Sequence, residues 1–123
     1  MLPAAHRLTD GATFREAIRS GRRAGRRTLV VHLWVDETDG ADSADGGRPA
    51  RVGFVVSRAV GNAVVRNQVK RRLRHLAREH VSTLPGSAVL VVRALPPAAG
   101  ASSAELGADL ERCLQRTRAE VAR

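Results

Sequence analysis

Tyrosine is absent from this chain, and Phe14, Trp34 and Phe54 are its only aromatic residues. A core must therefore be packed from aliphatic side chains. Cysteine occurs once, at Cys113, which excludes an intrachain disulfide and is compatible with a reducing compartment. A single small sulfur residue on an amphipathic stretch reads as core packing. Lysine also occurs once, at Lys70, so that twenty of the 21 basic residues are arginine. Arginine favours forked, bidentate contact with phosphate. No apolar run approaches the roughly 18 residues of a membrane span. The opening residues, MLPAAHRL, lack the apolar centre of a signal peptide. A cytoplasmic protein without membrane contact is expected.

The most informative absence is of negative charge. Between Gly46 and Arg78 there are nine Lys or Arg and no Asp or Glu. A surface built for solubility mixes both signs, so this one-signed interval points to a polyanionic partner. The acids cluster instead in residues 36–50 or scatter along the C-terminal stretch. His6, His32, His75 and His80 show no metal-ligand spacing. Nowhere does the chain assemble acid, base and nucleophile in a recognisable pattern. No catalytic residues are expected in this chain.

What is present organises itself around Ser57–His80. Gly61-Asn62 is a turn-type pair, after which residues 61–80 read as one helix. Val65, Val69, Leu73 and Leu76 form its apolar stripe. Arg66, Lys70 and Arg74 stand four apart beside that stripe, with Asn67, Arg71, Arg74 and Arg78 forming a second row. Like charges at that spacing cost a helix about 0.2–0.5 kcal/mol per pair, and no carboxylate before Glu79 relieves them. An external anion is the natural complement.

With 123 residues and a net charge of +9, the chain should form one domain that buries roughly two thirds of its unfolded surface. Residues 1–27 carry seven arginines against Asp10 and Glu16. A short helix is predicted there, with Phe14, Ala17 and Ile18 on one side. Its start is either a capping box, Thr13 with Glu16, or a cap at Asp10, and it ends at Gly21. Arg22, Arg23, Arg26 and Arg27 follow as a basic hinge, a second candidate contact for nucleic acid. Thr28–Val35 reads as a central strand interrupted by His32. Residues 36–50 read as a mobile acidic hairpin loop, since Ala41 and Ala44 break every calcium-loop register of Asp39, Asp42 and Asp45. Strands at Arg51–Ser57 and Ser87–Arg93 flank the basic helix. A second capping box, Ser102 with Glu105, opens a final helix bearing Leu106, Leu110, Cys113, Leu114 and Val121.

The run S-R-A-V-G-N-A-V-V-R-N-Q-V-K-R-R-L-R, from Ser57 to Arg74, resembles the signature of the bacterial ribonuclease P protein subunit, roughly S-K-K-x-G-x-A-V-x-R-N-x-x-K-R-x-x-R. Arg7-Leu8, Phe14, Gly21, the strand at Thr28–Val35, Arg51-Val52-Gly53 and the strand before Arg93 fall in the same order. The resemblance covers nearly the whole chain. It implies an α+β fold, a single-domain αβββαβα two-layer sandwich like the second domain of ribosomal protein S5. It further implies a left-handed βαβ crossover carrying the basic helix, against the usual handedness, and a short edge strand near Arg22–Gly25.

The same resemblance implies a function. The family's protein subunit binds the catalytic RNA of ribonuclease P and the 5′ leader of precursor tRNA. The RNA carries out the endonucleolytic removal of that leader, with Mg2+ held mainly by the RNA. Carried across position by position, the RNA-binding set is Ser57, Arg58, Asn62, Arg66, Asn67, Lys70, Arg71, Arg72 and Arg74. A metal contact is placed, if anywhere in the chain, near Asn67. Gln68 stands where the family has a third basic residue, Ala59 replaces a lysine, and Arg72 adds charge at a commonly apolar place. The leader-binding cleft is expected to use Phe14, Ile18, His32 and Trp34. Ile18 and His32 replace aromatic rings, leaving Phe14 as the main platform, with Trp34 on the same face as His32 by strand parity. The imidazole should gain charge as the pH falls through about 6.5. No obligate protein partner is expected. Two other readings share parts of this pattern: a general RNA chaperone or ribosomal protein, and a protein-only nuclease whose acids meet in space.

Overall fold

The computed structural model describes residues 6–35 and 49–121. Its elements are α1 (Gly11–Ser20), β1 (Arg22–Gly25), β2 (Leu29–Val35), β3 (Arg51–Val55), α2 (Ala63–Arg78), β4 (Ala88–Ala94) and α3 (Ser103–Val121). The order is the expected αβββαβα, including the short strand at Arg22–Gly25 that the basic hinge contains. One four-stranded sheet forms in the order β1-β2-β4-β3. β1 pairs antiparallel with β2, β2 antiparallel with β4, and β3 parallel with β4. Parallel neighbours require a crossover, and α2 makes it.

This topology corrects one expectation. Since β4 lies between β2 and β3, residues 36–50 cannot be a hairpin loop, because they connect strands that are not paired. Period and turn composition reveal that two strands are joined, but not that a third, later strand inserts between them. Apart from Pro49 and Ala50, that segment lies outside the described residues, as does the mobility expected of it. Val121 closes α3, and its side chain also lies outside them.

The sheet has a heavy face and a light one. Along β4, Ala88, Leu90, Val92 and Ala94 join the main core under α2 and α3, where Leu29, Val31 and Leu33 of β2 and Val52 of β3 meet them. Val69, Leu73 and Ala77 of α2 and Leu106, Leu110, Cys113 and Leu114 of α3 close it from above. The alternate residues Val89 and Val91 face the other way, packing with Leu8, Ala17, Phe14, Trp34 and Val55. Helix α1 crosses that second face. Burial on both faces explains why Thr28–Val35 shows no polar alternation.

Local chemistry fixes the helix starts. Asp10, not Thr13, caps α1: its carboxylate accepts from the Ala12 N–H and from the Thr13 hydroxyl. Those two bonds, the hydroxyl first, hold the Asp10 pKa below its usual value. Glu16 instead pairs with Arg19 and Ser20. Asn62 caps α2 through the Val65 N–H at 3.0 Å, an arrangement worth about 1 kcal/mol. The predicted box at α3 forms reciprocally, with Glu105 N–H on the Ser102 hydroxyl and Ser102 N–H on the Glu105 carboxylate. Helices α2 and α3 approach closely at Gly107, where an added Cβ would lie 3.2 Å from Leu76 Cδ2.

Candidate nucleic-acid interface

Three buried residues at positions 69, 73 and 77 turn one side of α2 to the sheet. The helical period then places Lys70, Arg74, Asn67, Arg78 and Arg71 on one outer arc of about 100°. Asn67, Arg71, Arg74 and Arg78 are exposed and Lys70 is half-buried. None of the four cations on this arc has a carboxylate partner among the described residues. Arg66 sits at the arc's inner border, and its Nε is buried without a hydrogen-bond partner there. Val64, 66% exposed, adds one apolar contact at the start of the same helix.

Not every residue of the expected set shares this arc. Arg72 points to the α3 side and donates to the Ala101 carbonyl at 3.2 Å, tying α2 to the turn that precedes α3. The Asn62 side-chain oxygen is committed to the helix cap. Ser57 and Arg58 are exposed in the turn that leads from β3 into the helix, closed by the Val60 N–H on the Ser57 carbonyl. Beside Asn67 the helix offers Arg66, Lys70, Arg71 and Arg74. Among the described residues no group of three or more His, Cys, Asp or Glu is placed to hold a metal ion. An oxygen-rich donor set of the kind Mg2+ requires is thus not found at Asn67, and the chain's own residues do not fit such an ion there.

The second candidate region is the face under α1. Registers across the sheet put Arg23, His32, Val91 and Gly53 in one row, and Val30, Arg93 and Val55 in the next. The Phe14 ring lies directly over Gly53, so closely that a Cβ at 53 would overlap it. A glycine is needed there for the ring to rest on the backbone. Ile18 is 37% exposed on the open flank of α1, and Trp34 is half-buried in the small core. These residues do converge on one face, with Phe14 serving as wall and as packing together.

His32 differs from its expectation. It is 3% exposed, and neither ring nitrogen has a hydrogen-bond partner among the described residues. Burial, and then the Arg93 and Arg23 guanidinium groups, push its pKa below the usual histidine value. The ring therefore takes up its proton at lower pH than an ordinary histidine does. Strand parity alone could not show this, because the two cations come from β1 and β4.

Arg93 itself was hidden in the sequence at the end of a strand read as buried. Within β4 it is the one exposed position, and it brings positive charge to the floor beside His32. A single charged residue inside an otherwise apolar strand was the available signal. The basic run at 22–27 is split by the fold: Arg27 pairs with Glu105 at 2.8 Å and Arg26 stands 4.0 Å from Asp109. Arg22 and Arg23 remain exposed on the edge strand.

This α+β fold carries a helix face whose cations have no carboxylate partner among the described residues, and a second basic face floored by sheet, a charge pattern suited to a polyanion. The sequence pattern of the family described as Ribonuclease P matches residues 2–118. A relative named ribonuclease P protein component, from a Nocardioides species, is 78% identical over 121 residues and covers 98% of each chain. Its counterpart from Streptomyces avermitilis is 54% identical over 116 residues, covering 94% of each. Among solved structures, the RNase P protein of Staphylococcus aureus superposes with a TM-score of 0.75 at 27% identity, covering 90% of this chain and 94% of that one. The RNase P protein of Thermotoga maritima shares the fold with a TM-score of 0.68 at 22% identity, covering 86% and 92%. The chain belongs to the ribonuclease P family, as a bacterial protein component of that enzyme.

Proposed function

We propose that this chain binds the catalytic RNA of ribonuclease P through the outer arc of α2 and receives the 5′ leader of precursor tRNA on the sheet face under α1. The observation that carries the reading is the set Lys70, Arg71, Arg74 and Arg78, cations on one helix face with no carboxylate partner among the described residues. Phosphate oxygens of RNA supply the missing charge, and each contact releases condensed counterions. Cleavage belongs to the RNA, which holds the Mg2+ ions that tRNA 5′ maturation requires. The chain's part is to fix the RNA and to hold substrate.

The α1 face suits a single strand. Phe14 and the exposed side of Ile18 give an apolar wall, and Arg23 and Arg93 give charge for the backbone. Stacking of a base on an aromatic side chain contributes about 1–3 kcal/mol. Titration of the assembled enzyme with leader-bearing precursor and with mature tRNA tests this reading. Phe14→Ala should weaken precursor binding by about 1–3 kcal/mol and leave mature tRNA nearly unchanged. Equal losses for both would show that the ring serves packing alone.

A further inference from the structure

A groove opens at the β1 edge of the sheet, away from both surfaces above. Ala24, Gly25 and Arg26 form one wall, and Arg112, Cys113 and Arg116 of α3 form the other, around about 360 Å³ of space. Its three arginines are not equivalent. Arg26 stands 4.0 Å from the Asp109 carboxylate, whose other oxygen accepts from the Thr28 hydroxyl at 2.6 Å. Arg112 and Arg116 stand one turn apart and have no carboxylate partner among the described residues. Two like charges at that spacing repel. Cys113, between them in the chain, is buried, and burial raises its thiol pKa, so it supplies no counter-charge. Arg26 thus has Asp109 beside it, while Arg112 and Arg116 bring two charges to the groove that no carboxylate among the described residues offsets.

Its position says which anion. Arg93 and Arg23 mark the floor of the α1 face, and Arg23 lies on the edge strand itself. Arg26 follows three residues later, about 10 Å along an extended chain. A strand of RNA crossing the floor toward β1 meets Arg23, turns over the edge, and reaches Arg26 and then Arg112 and Arg116. The catalytic-RNA arc of α2 belongs to the other side of the molecule, since α2 packs on β3 and α3 packs on β1 and β2. The portion of a strand nearest β1 is therefore the portion farthest from that arc.

We infer that the β1–α3 groove is a second subsite for single-stranded RNA, holding phosphates of the leader beyond the stretch that lies under α1. The inference rests on the reading that the α1 face takes the leader. Its consequence is a dependence on leader length: long leaders fill the groove and short ones do not.

The test uses the assembled enzyme and precursor tRNAs with leaders graded from about 4 to about 16 nucleotides, the span of single-strand sites on small binding domains. Wild-type affinity should rise with length, and Arg112→Ala with Arg116→Ala should abolish the rise while leaving the shortest leader bound as before. Two phosphate contacts at about 0.7 each give the increment a log–log salt slope of about 1.4, so fourfold more salt should shrink it about sevenfold in the wild type. Arg112→Lys with Arg116→Lys should retain most of the increment. A wild type indifferent to length beyond the shortest leader, or a double alanine variant that keeps the increment, would overturn the inference. So would a variant that loses affinity for the RNA subunit alone, because the groove would then hold that RNA. Failure of the underlying reading looks different: the shortest leader would bind no better than mature tRNA.

Discussion

His32 shows how a single residue changes meaning between sequence and structure. Its place in a β-rich run made it visible, and parity put it on a face with Trp34. What covers that face, and which charges flank it, depends on β1 and β4, which no local pattern connects to position 32. Buried and flanked by Arg93 and Arg23, the ring has a lowered pKa. The unfolded chain, with an ordinary value near 6.5, therefore takes up its proton first as the pH falls. Stability contributed by the neutral ring is complete above about pH 6.5 and declines below it, levelling once the folded form is also protonated. His32→Gln should remove that part of the acid dependence. Thermal unfolding of both proteins between about pH 7.5 and pH 5 checks it. An identical acid loss in the variant would show that the ring is already free to titrate. Arg93 carries a parallel lesson, since its charge was legible but its exposure in mid-sheet was not.

At the scale of elements, helices were the most legible part. The apolar stripe of α2 and the reciprocal cap of α3 rest on interactions within a few residues, and both form as the pattern requires. Helix α1 was bounded correctly at Gly21, while its start turned on which of two nearby side chains reached the first free N–H groups, and Asp10 did. Strand existence was legible, and strand order was not: the insertion of β4 between β2 and β3 pairs residues more than thirty apart in the chain. The extra edge strand at Arg22–Gly25 came from resemblance alone, because RRAG has neither β-propensity nor alternation. For α2, replacing Arg66, Lys70 and Arg74 with alanine should weaken binding to the RNA subunit. For every phosphate that the variant no longer neutralises, the log–log salt slope should flatten by about 0.7–0.9. Folding should hold or improve slightly, since repulsion along the helix is relieved. A folded variant with the wild-type slope would remove α2 from the RNA interface.

Over the whole molecule, charge is partitioned. Glu105 and Asp109 of α3 are engaged with the N-terminal basic run through Arg26, Arg27 and Thr28, while Lys70, Arg71, Arg74 and Arg78 of α2 have no carboxylate partner among the described residues. The main core under α2 and α3 is closed by aliphatic side chains, so the scarcity of aromatics costs no packing. No helix among the described residues is long and apolar enough to cross a membrane. Among the described residues no group of three or more His, Cys, Asp or Glu is placed to hold a metal ion. The central claim is that the chain binds and the RNA cuts. Its most direct test is cleavage of precursor tRNA at low magnesium by purified protein, by RNA subunit, and by both together. Efficient release of the leader only in the combined reaction is the predicted result. Cleavage by nuclease-treated protein alone, lost on replacing one of its Asp or His residues, would contradict it.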